Sequence, residues 1–108
     1  LLRSEARKVA HISSGMGSIG DNTSGGAYSY RMSKAALNMA SRSMAVDLRD
    51  RRVISVVFNP GWVQTDMGGR SAPVPVDQSV HALVALIDGL VASDSGDFLD
   101  WRGKRYEW

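Results

Sequence analysis

The stretch 27–50 contains neither proline nor glycine, and it separates two short apolar runs, 9–13 and 53–58. Within this stretch, side chains recur at steps of three and four residues, the period of an α-helix that packs one face. The recurring positions are Tyr30, Lys34, Leu37, Ser41, Met44 and Leu48. Each apolar run ends at a glycine-rich or Asn-Pro-Gly sequence, as buried strands do. This order constrains the fold strongly, because buried strands joined by a helix pair in parallel.

The second half of the chain continues the alternation of helix and strand patterns. Apolar residues over 78–91 follow the helical period, which predicts a second helix with Asp77 as its N-terminal cap. A short third strand is predicted over 97–101. The pattern indicates an α/β fold with about three parallel strands, two main helices and right-handed crossovers. Because parallel sheets are normally covered on both faces, we expect one bare face and at least one bare edge, as in half of a domain.

Composition excludes several classes of function. A chain of 108 residues, 44% apolar and 22% charged, is typical of one globular domain. The net charge of +2 comes without a dense basic stripe, which argues against nucleic acid, and the absence of cysteine with only two histidines argues against a metal site. The apolar stretch 80–91 is shorter than the roughly 20 residues of a membrane span. No signal-peptide pattern opens the chain, so we expect a cytoplasmic protein without a membrane partner.

Candidate catalytic residues gather at one edge of the predicted sheet. Parallel strands end at the same edge, and ligands of open sheets bind there. Ser14 follows the first strand and the turn 60–65 follows the second, while the helix that carries Tyr30 and Lys34 begins at this edge. Tyr30 and Lys34 are four residues apart and share a helix face, where an ammonium group favours the phenolate. A phenol of this kind exchanges protons with alcohols and carbonyls, and the Ser14 hydroxyl could orient the substrate oxygen. Tyr28 competes for the role but lies off the Lys34 face.

Three ordered motifs carry a family resemblance. They are Ser14-Gly15-Met16-Gly17, Tyr30-Arg31-Met32-Ser33-Lys34 and Pro60-Gly61-Trp62-Val63-Gln64-Thr65. They match the Ser-x-x-Gly, Tyr-x-x-x-Lys and Pro-Gly-x-Val-x-Thr motifs of the short-chain dehydrogenase/reductase family, which the chain resembles over nearly its whole length. The residues 36–39 and 65–69 are most similar to the C-factor and sniffer-type carbonyl reductase branch. The resemblance implies the carboxyl-terminal half of a Rossmann-like doubly wound parallel sheet, with 1–108 as a single partial domain, the catalytic half.

The resemblance also implies a reaction and a set of roles. The reaction is hydride transfer between a nicotinamide dinucleotide, NAD(P) with NADP(H) favoured, and a small-molecule carbonyl or secondary alcohol. Tyr30 would be the general acid or base, Ser14 the substrate-orienting hydroxyl, and Lys34 the group that favours the phenolate and binds the nicotinamide ribose. Tyr30 is also implied to contact the cofactor, together with Pro60, Gly61, Val63 and Thr65. The family's amino-terminal glycine-rich turn and its catalytic asparagine have no counterpart, so the dinucleotide-binding half is expected to be absent.

Two alternatives stay open. The isolated chain could be catalytically inert and act as an oligomerisation module through the 27–50 helix; saturable binding of a reduced nicotinamide dinucleotide would argue against this. Alternatively, the run Gly15-Met16-Gly17-Ser18-Ile19-Gly20 spells the Gly-x-Gly-x-x-Gly of a phosphate-binding turn. That fingerprint needs a helix opening at the glycines, whereas 21–26 continues as loop, so we interpret the run as a flexible substrate-side loop.

The remaining histidines and tryptophans have simpler interpretations. His11 is expected to be a packed core histidine, and His81 a helix-surface residue. For Trp62, contact with substrate and a role in capping the pocket are equally favoured. The aromatic residues of the last segment are expected to pack the tail: Trp101, Tyr106 and Trp108.

Overall fold

The computed structural model describes residues 1, 3 and 5–108. Its main elements are β1 (Lys8–Ile12), α1 (Tyr28–Asp47), β2 (Ile54–Asn59), α2 (Val76–Gly89) and β3 (Phe98–Asp100). Single-turn 3₁₀ helices lie at Gly15–Gly17, Arg49–Arg51 and Ala92–Asp94. The predicted order of strand, helix, strand, helix and strand is confirmed, with boundaries shifted by a few residues. Within the described residues, neither main helix combines the length and apolar character that a membrane crossing requires.

The three strands form one parallel sheet in the order β1-β2-β3. Lys8 lies opposite Ile54 at the start of the β1–β2 pair, and Ile12 lies opposite Phe58 at its end. The central strand β2 is an almost continuous apolar run because both of its faces are covered. The predicted parallel α/β fold is therefore confirmed, as a partial Rossmann-like sheet.

The two helices lie on opposite faces of this sheet. Val56 of β2 belongs to the apolar cluster that contains Leu83 and Leu90, on or just after α2. Ser55, its neighbour, points the other way, and its hydroxyl lies 2.9 Å from the Ser41 hydroxyl of α1. Successive side chains of a strand face opposite sides, so these contacts assign one helix to each face.

Two of the topological expectations are wrong. In the part of the chain that the structure describes, neither face of the sheet is bare, because α1 lies on one side and α2 on the other. The expectation of two right-handed crossovers is also wrong: along sequentially ordered strands, two crossovers of one hand would place both helices on the same face. Helices on opposite faces require crossovers of opposite hand. The general preference is overridden here by the apolar faces of α2 and β2, which pack against each other.

The last residues of the chain cover the outer edge of β3. The Tyr106 amide donates to the Phe98 carbonyl at 2.7 Å, and the Asp100 amide donates to the Lys104 carbonyl at 2.8 Å. Leu99 and Arg105 form an antiparallel bridge between these hydrogen bonds. Among the described residues, the unpaired edge of the sheet is therefore that of β1, and the tail is part of the fold.

The predicted cap of the second helix is wrong. α2 begins at Val76, and Pro75 occupies the N-cap position, where it makes no side-chain capping hydrogen bond. The backbone of Pro75 has a φ of −60°, which its ring fixes at a value suited to helix entry. Asp77 lies within the first turn, where a carboxylate interacts favourably with the helix dipole.

A small polar cluster joins α1 to the sheet. The Ser55 hydroxyl lies between the Ser41 hydroxyl and the His11 Nε2, which is 3.3 Å away. Ser41 and Ser55 are buried and small, so the helix approaches the sheet closely. Burial lowers the pKa of His11 from its ordinary value of 6.5, because desolvation disfavours the imidazolium. The expectation that His11 is a packed core histidine agrees with these contacts.

The shift of His11 predicts how stability depends on pH. Below pH 6.5 the unfolded chain takes up a proton that folded His11 resists, so the free energy of unfolding should fall as the pH decreases from 6.5. Chemical denaturation at a series of pH values measures this slope. His11→Gln should flatten it, while His81→Gln, on the exposed surface of α2, should leave it in place. An unchanged slope in His11→Gln would contradict the assignment.

Candidate active site

A cavity of about 1050 Å³ opens at the carboxyl edge of the sheet. Its walls come from the loop after β1, the first turns of α1 and the loop after β2. Every residue that the sequence predicted to be catalytic or to contact a cofactor lines it: Ser14, Tyr30, Lys34, Pro60, Gly61, Val63 and Thr65. The structure thus brings together residues from three separate segments of the chain.

Tyr30 and Lys34 form a pair on the first turns of α1. The Lys34 Nζ lies 5.7 Å from the centroid of the Tyr30 ring, within the range of a cation–π interaction. Both residues are half-buried and face the cavity. Tyr28, the competing phenol, is 78% exposed and lies outside the cavity lining. Of the two tyrosines, Tyr30 therefore has the geometry of a proton donor or acceptor.

Ser14 follows β1 and caps the short 3₁₀ helix that comes after it. Its Oγ accepts a hydrogen bond from the Met16 amide at 3.1 Å, which caps the 3₁₀ helix Gly15–Gly17. A hydroxyl that accepts in this way still has its O–H to donate. Ser14 can therefore present a hydrogen-bond donor to a group in the cavity.

Gly17 brings this turn against α1. A Cβ at position 17 would lie 2.8 Å from the Lys34 Cβ and 3.0 Å from the Asn38 Nδ2. The Gly17 carbonyl accepts a hydrogen bond from that amide at 3.4 Å. Only glycine permits so close an approach, and it places the turn that carries Ser14 beside the turn of α1 that carries Lys34.

The Gly-x-Gly-x-x-Gly run does not open an α-helix. Its only helical turn is the 3₁₀ helix Gly15–Gly17, after which the chain continues as loop to the start of α1. Gly17 faces α1, and a Cβ at Gly20 would meet the end of the Glu107 side chain. This geometry agrees with the substrate-side loop that the sequence indicated.

Arg31 stabilises the loop, and the sequence reasoning missed it. Its guanidinium donates to the Gly26 carbonyl at 3.1 Å and to the Ser24 hydroxyl at 3.1 Å, and it also reaches the carbonyls of Gly25 and Met16. The residue follows Tyr30 directly on α1. Its charge is therefore engaged in holding the loop over the first turn of the helix.

The turn after β2 is shaped by hydrogen bonds within it. The Asn59 Oδ1 accepts from the Gly61 amide at 3.1 Å, and the Thr65 Oγ1 accepts from the Gly68 amide at 3.1 Å. Gly61 has a φ of +85°, and a Cβ there would lie 2.8 Å from the Trp101 indole. The turn is consequently a fixed wall of the cavity. Val63, bridged to Val74, anchors its far end.

The position of Trp62 suits both of the roles that the sequence left open. Its indole Nε1 donates to the Gly68 carbonyl at 2.8 Å, which fixes the ring over the loop. The ring also lines the cavity and is 60% exposed. It is positioned both to shape the mouth of the cavity and to contact a ligand inside it.

The chain belongs to the short-chain dehydrogenase family: the family model described as short chain dehydrogenase matches residues 1–74. It is 55% identical over 102 residues to the C-signal protein of Myxococcus xanthus, covering 94% of this chain and 61% of that protein. The carbonyl reductase Sniffer of D. melanogaster superposes with a TM-score of 0.91 at 44% identity, covering 94% of this chain and 41% of that one.

An NADPH-bound carbonyl reductase from chicken fatty liver is also similar, with a TM-score of 0.86 and 43% identity over 94% of this chain and 42% of that one. The predicted resemblance to the C-factor and sniffer-type branch is confirmed. The chain spans less than two thirds of the length of each of these relatives, and less than half of the two carbonyl reductases.

The contact at Gly17 predicts a specific sensitivity to substitution. Gly17→Ala should lower the free energy of unfolding by about 1–3 kcal/mol, because the new Cβ must push the turn away from α1. Gly89→Ala is the matched control, since a Cβ at the end of α2 meets no atom within 4 Å. Chemical denaturation of both variants measures the difference. Equal stability of the two would show that the turn is not packed against Lys34.

Proposed function

We propose that the protein carrying this chain is an oxidoreductase that transfers hydride between a nicotinamide dinucleotide and a carbonyl or secondary alcohol, with Tyr30 as general acid or base. The observation that carries the proposal is the pair on α1: a phenol with an ammonium 5.7 Å from its ring, in the same cavity as the Ser14 hydroxyl. Carbonyl reductases among the similar structures support this class of reaction.

Proton transfer is assigned to the Tyr30 hydroxyl. In the reductive direction it donates its proton to the substrate oxygen, and in the oxidative direction the phenolate accepts one. The Lys34 ammonium places a positive charge beside the Tyr30 ring, on the same face of α1, where it faces the negative charge that proton donation leaves on the phenol oxygen. The Ser14 O–H donates a hydrogen bond to the oxygen, where negative charge develops.

The donors around the cavity suit a nicotinamide nucleoside. Lys34 offers an ammonium for ribose hydroxyls, and the turn 60–65 offers backbone groups and the Thr65 hydroxyl for an amide. Further proposed contacts in this turn are Pro60, Gly61 and Val63. When bound, the nicotinamide supplies or accepts the hydride. NADP(H) is the proposed form, supported by the NADPH-bound chicken reductase and an NADP-bound neighbour from Burkholderia multivorans.

The substrate proposed is a small apolar carbonyl compound or the corresponding alcohol. The remaining cavity wall is dominated by apolar side chains, among them Met16, Trp62, Met67 and Val80. Arg31 is occupied with the loop, so Lys34 is the cation that remains for a ligand among the described lining residues. Walls of this kind bind ligands mainly by burying apolar surface, while the polar groups fix orientation.

Residues 1–108 are proposed to be the catalytic half of the enzyme. The glycine-rich loop is engaged by α1 and by the tail, so it is not free to cradle a pyrophosphate. A polypeptide of these residues alone is therefore proposed to be inactive.

The surface of α1 supports self-association of the enzyme, because Met32, Met39 and Val46 form an exposed apolar stripe along it. An inert interaction module is the less favoured alternative, since it gives no role to the pair of Tyr30 and Lys34 in the cavity.

In the whole enzyme that carries this chain, Tyr30→Phe is expected to lower kcat by roughly 10²- to 10⁴-fold, because it removes the proton that the reaction transfers. The measurement follows the absorbance of reduced nicotinamide with a panel of aromatic and aliphatic ketones and aldehydes. Tyr28→Phe, two residues away and exposed, should retain wild-type rates. Thermal unfolding should be alike in both variants. Turnover by Tyr30→Phe near the wild-type rate would refute the assignment.

A further inference from the structure

The tail of the chain forms a strap that ties β3 to the glycine-rich loop. We define the strap as residues 104–108. It first pairs with β3, as described above, and then reaches the loop, where the Gly20 amide donates to the Trp108 carbonyl at 2.9 Å. The strap thus connects the edge of the sheet with the loop that begins at Ser14.

Aromatic packing anchors the strap to the core. The Tyr106 and Trp108 rings lie 5.1 Å and 5.2 Å from the Phe98 ring, in tilted arrangements. Phe98 is fully buried in β3. Tilted aromatic pairs at this separation are favourable beyond the area that they bury. The backbone of the strap is therefore held in place independently of any ligand in the cavity.

The Tyr106 hydroxyl reaches from this anchor to the wall of the cavity. It donates a hydrogen bond to the Asp21 carboxylate at 2.5 Å, and both residues line the cavity. A Cβ at Gly15 would lie 2.7 Å from the Tyr106 Oη and 3.1 Å from the Asn59 Nδ2. The hydroxyl is thus packed against the residue that follows Ser14.

The phenol of Tyr106 remains a donor over the whole range in which enzymes work. Burial, together with the hydrogen bond and charge of Asp21, raises the pKa of Tyr106 to about 12. A charge-assisted hydrogen bond of this kind is stronger than a neutral one. Loss of the hydroxyl leaves the loop attached to the strap at Gly20 but not at Asp21.

We propose that Tyr106 is a positioning residue for substrate binding: by tying Asp21 to the strap and closing against Gly15, its hydroxyl holds the loop that presents Ser14. The inference rests on the proposed function for its effect on catalysis, because it assigns Ser14 a contact with substrate. Its effect on the loop is independent of that function. Sequence reasoning assigned Tyr106 only to packing of the tail, since its partner lies 85 positions away.

Tyr106→Phe is the primary test, since it removes the hydroxyl and keeps the ring on Phe98. Hydrogen exchange of the amides in 15–21 should become faster, while exchange in β2 stays unchanged. KM for the carbonyl substrate should rise roughly three- to tenfold, because the loss of one hydrogen bond lowers the fraction of molecules whose loop is ready to bind substrate. The value of kcat should change less than twofold. A purely structural role would lower thermal stability and leave KM unchanged. Tyr28→Phe controls for removal of a phenol.

Asp21→Ala is the second variant; it removes the acceptor of the Tyr106 hydroxyl, and it keeps the proposal falsifiable if Tyr106→Phe does not fold. It should speed exchange over 15–21 and raise KM, and combining it with Tyr106→Phe should add little, since both break one contact. Unchanged exchange over 15–21 in both variants overturns the proposal. If the whole wild-type enzyme that carries this chain reduces no carbonyl compound, the proposed function fails, and the exchange data still decide whether Tyr106 holds the loop.

Discussion

The parallel register of β1 with β2 is the constraint on which the site depends. Ile12 lies opposite Phe58, so the chain leaves both strands at the same height, and the turn of Ser14 and the turn 60–65 emerge side by side. A shift of one residue would turn Val56 and Phe58 away from the apolar face of α2 and expose them to the α1 side. Burial of these side chains therefore fixes the register, and the register fixes the distance between the two loops.

The residues of the proposed site lie on two kinds of support, a rigid helix and a loop. Tyr30 and Lys34 are carried by a long helix packed on the sheet, so their mutual geometry follows from helical spacing. Ser14 sits on a loop, which needs separate support. Three contacts hold this loop from different sides: the packing of Gly17 against α1, the hydrogen bonds of the Arg31 guanidinium, and the strap. A chain that is similar to carbonyl reductases thus places its predicted proton donor on a helix and its orienting hydroxyl on a braced loop.

Local patterns in the sequence were sufficient to predict the main helices and strands, and to predict that the candidate site residues lie at one edge of the sheet. The helical period of α1 and the β-branched run of β2 are signals contained in neighbouring residues, and parallel topology then gathers Ser14, Tyr30 and Lys34 at one edge. Two features depend on contacts between residues that are distant in sequence, which no local pattern reveals. They are the face of the sheet on which α2 packs and the pairing of the tail with β3. Asp77 suggested a cap because its side chain is suited to one, but the fixed backbone of Pro75 starts the helix earlier.

The central claim is that one substrate oxygen meets the hydroxyls of Tyr30 and Ser14 together. A crystal structure of the protein with oxidised nicotinamide dinucleotide phosphate and a slowly reacting ketone tests it directly. We predict that the ketone oxygen lies within hydrogen-bond distance, about 2.6–3.2 Å, of both the Tyr30 Oη and the Ser14 Oγ. A ketone bound in the cavity with its oxygen beyond reach of the Tyr30 hydroxyl would contradict the proposed mechanism.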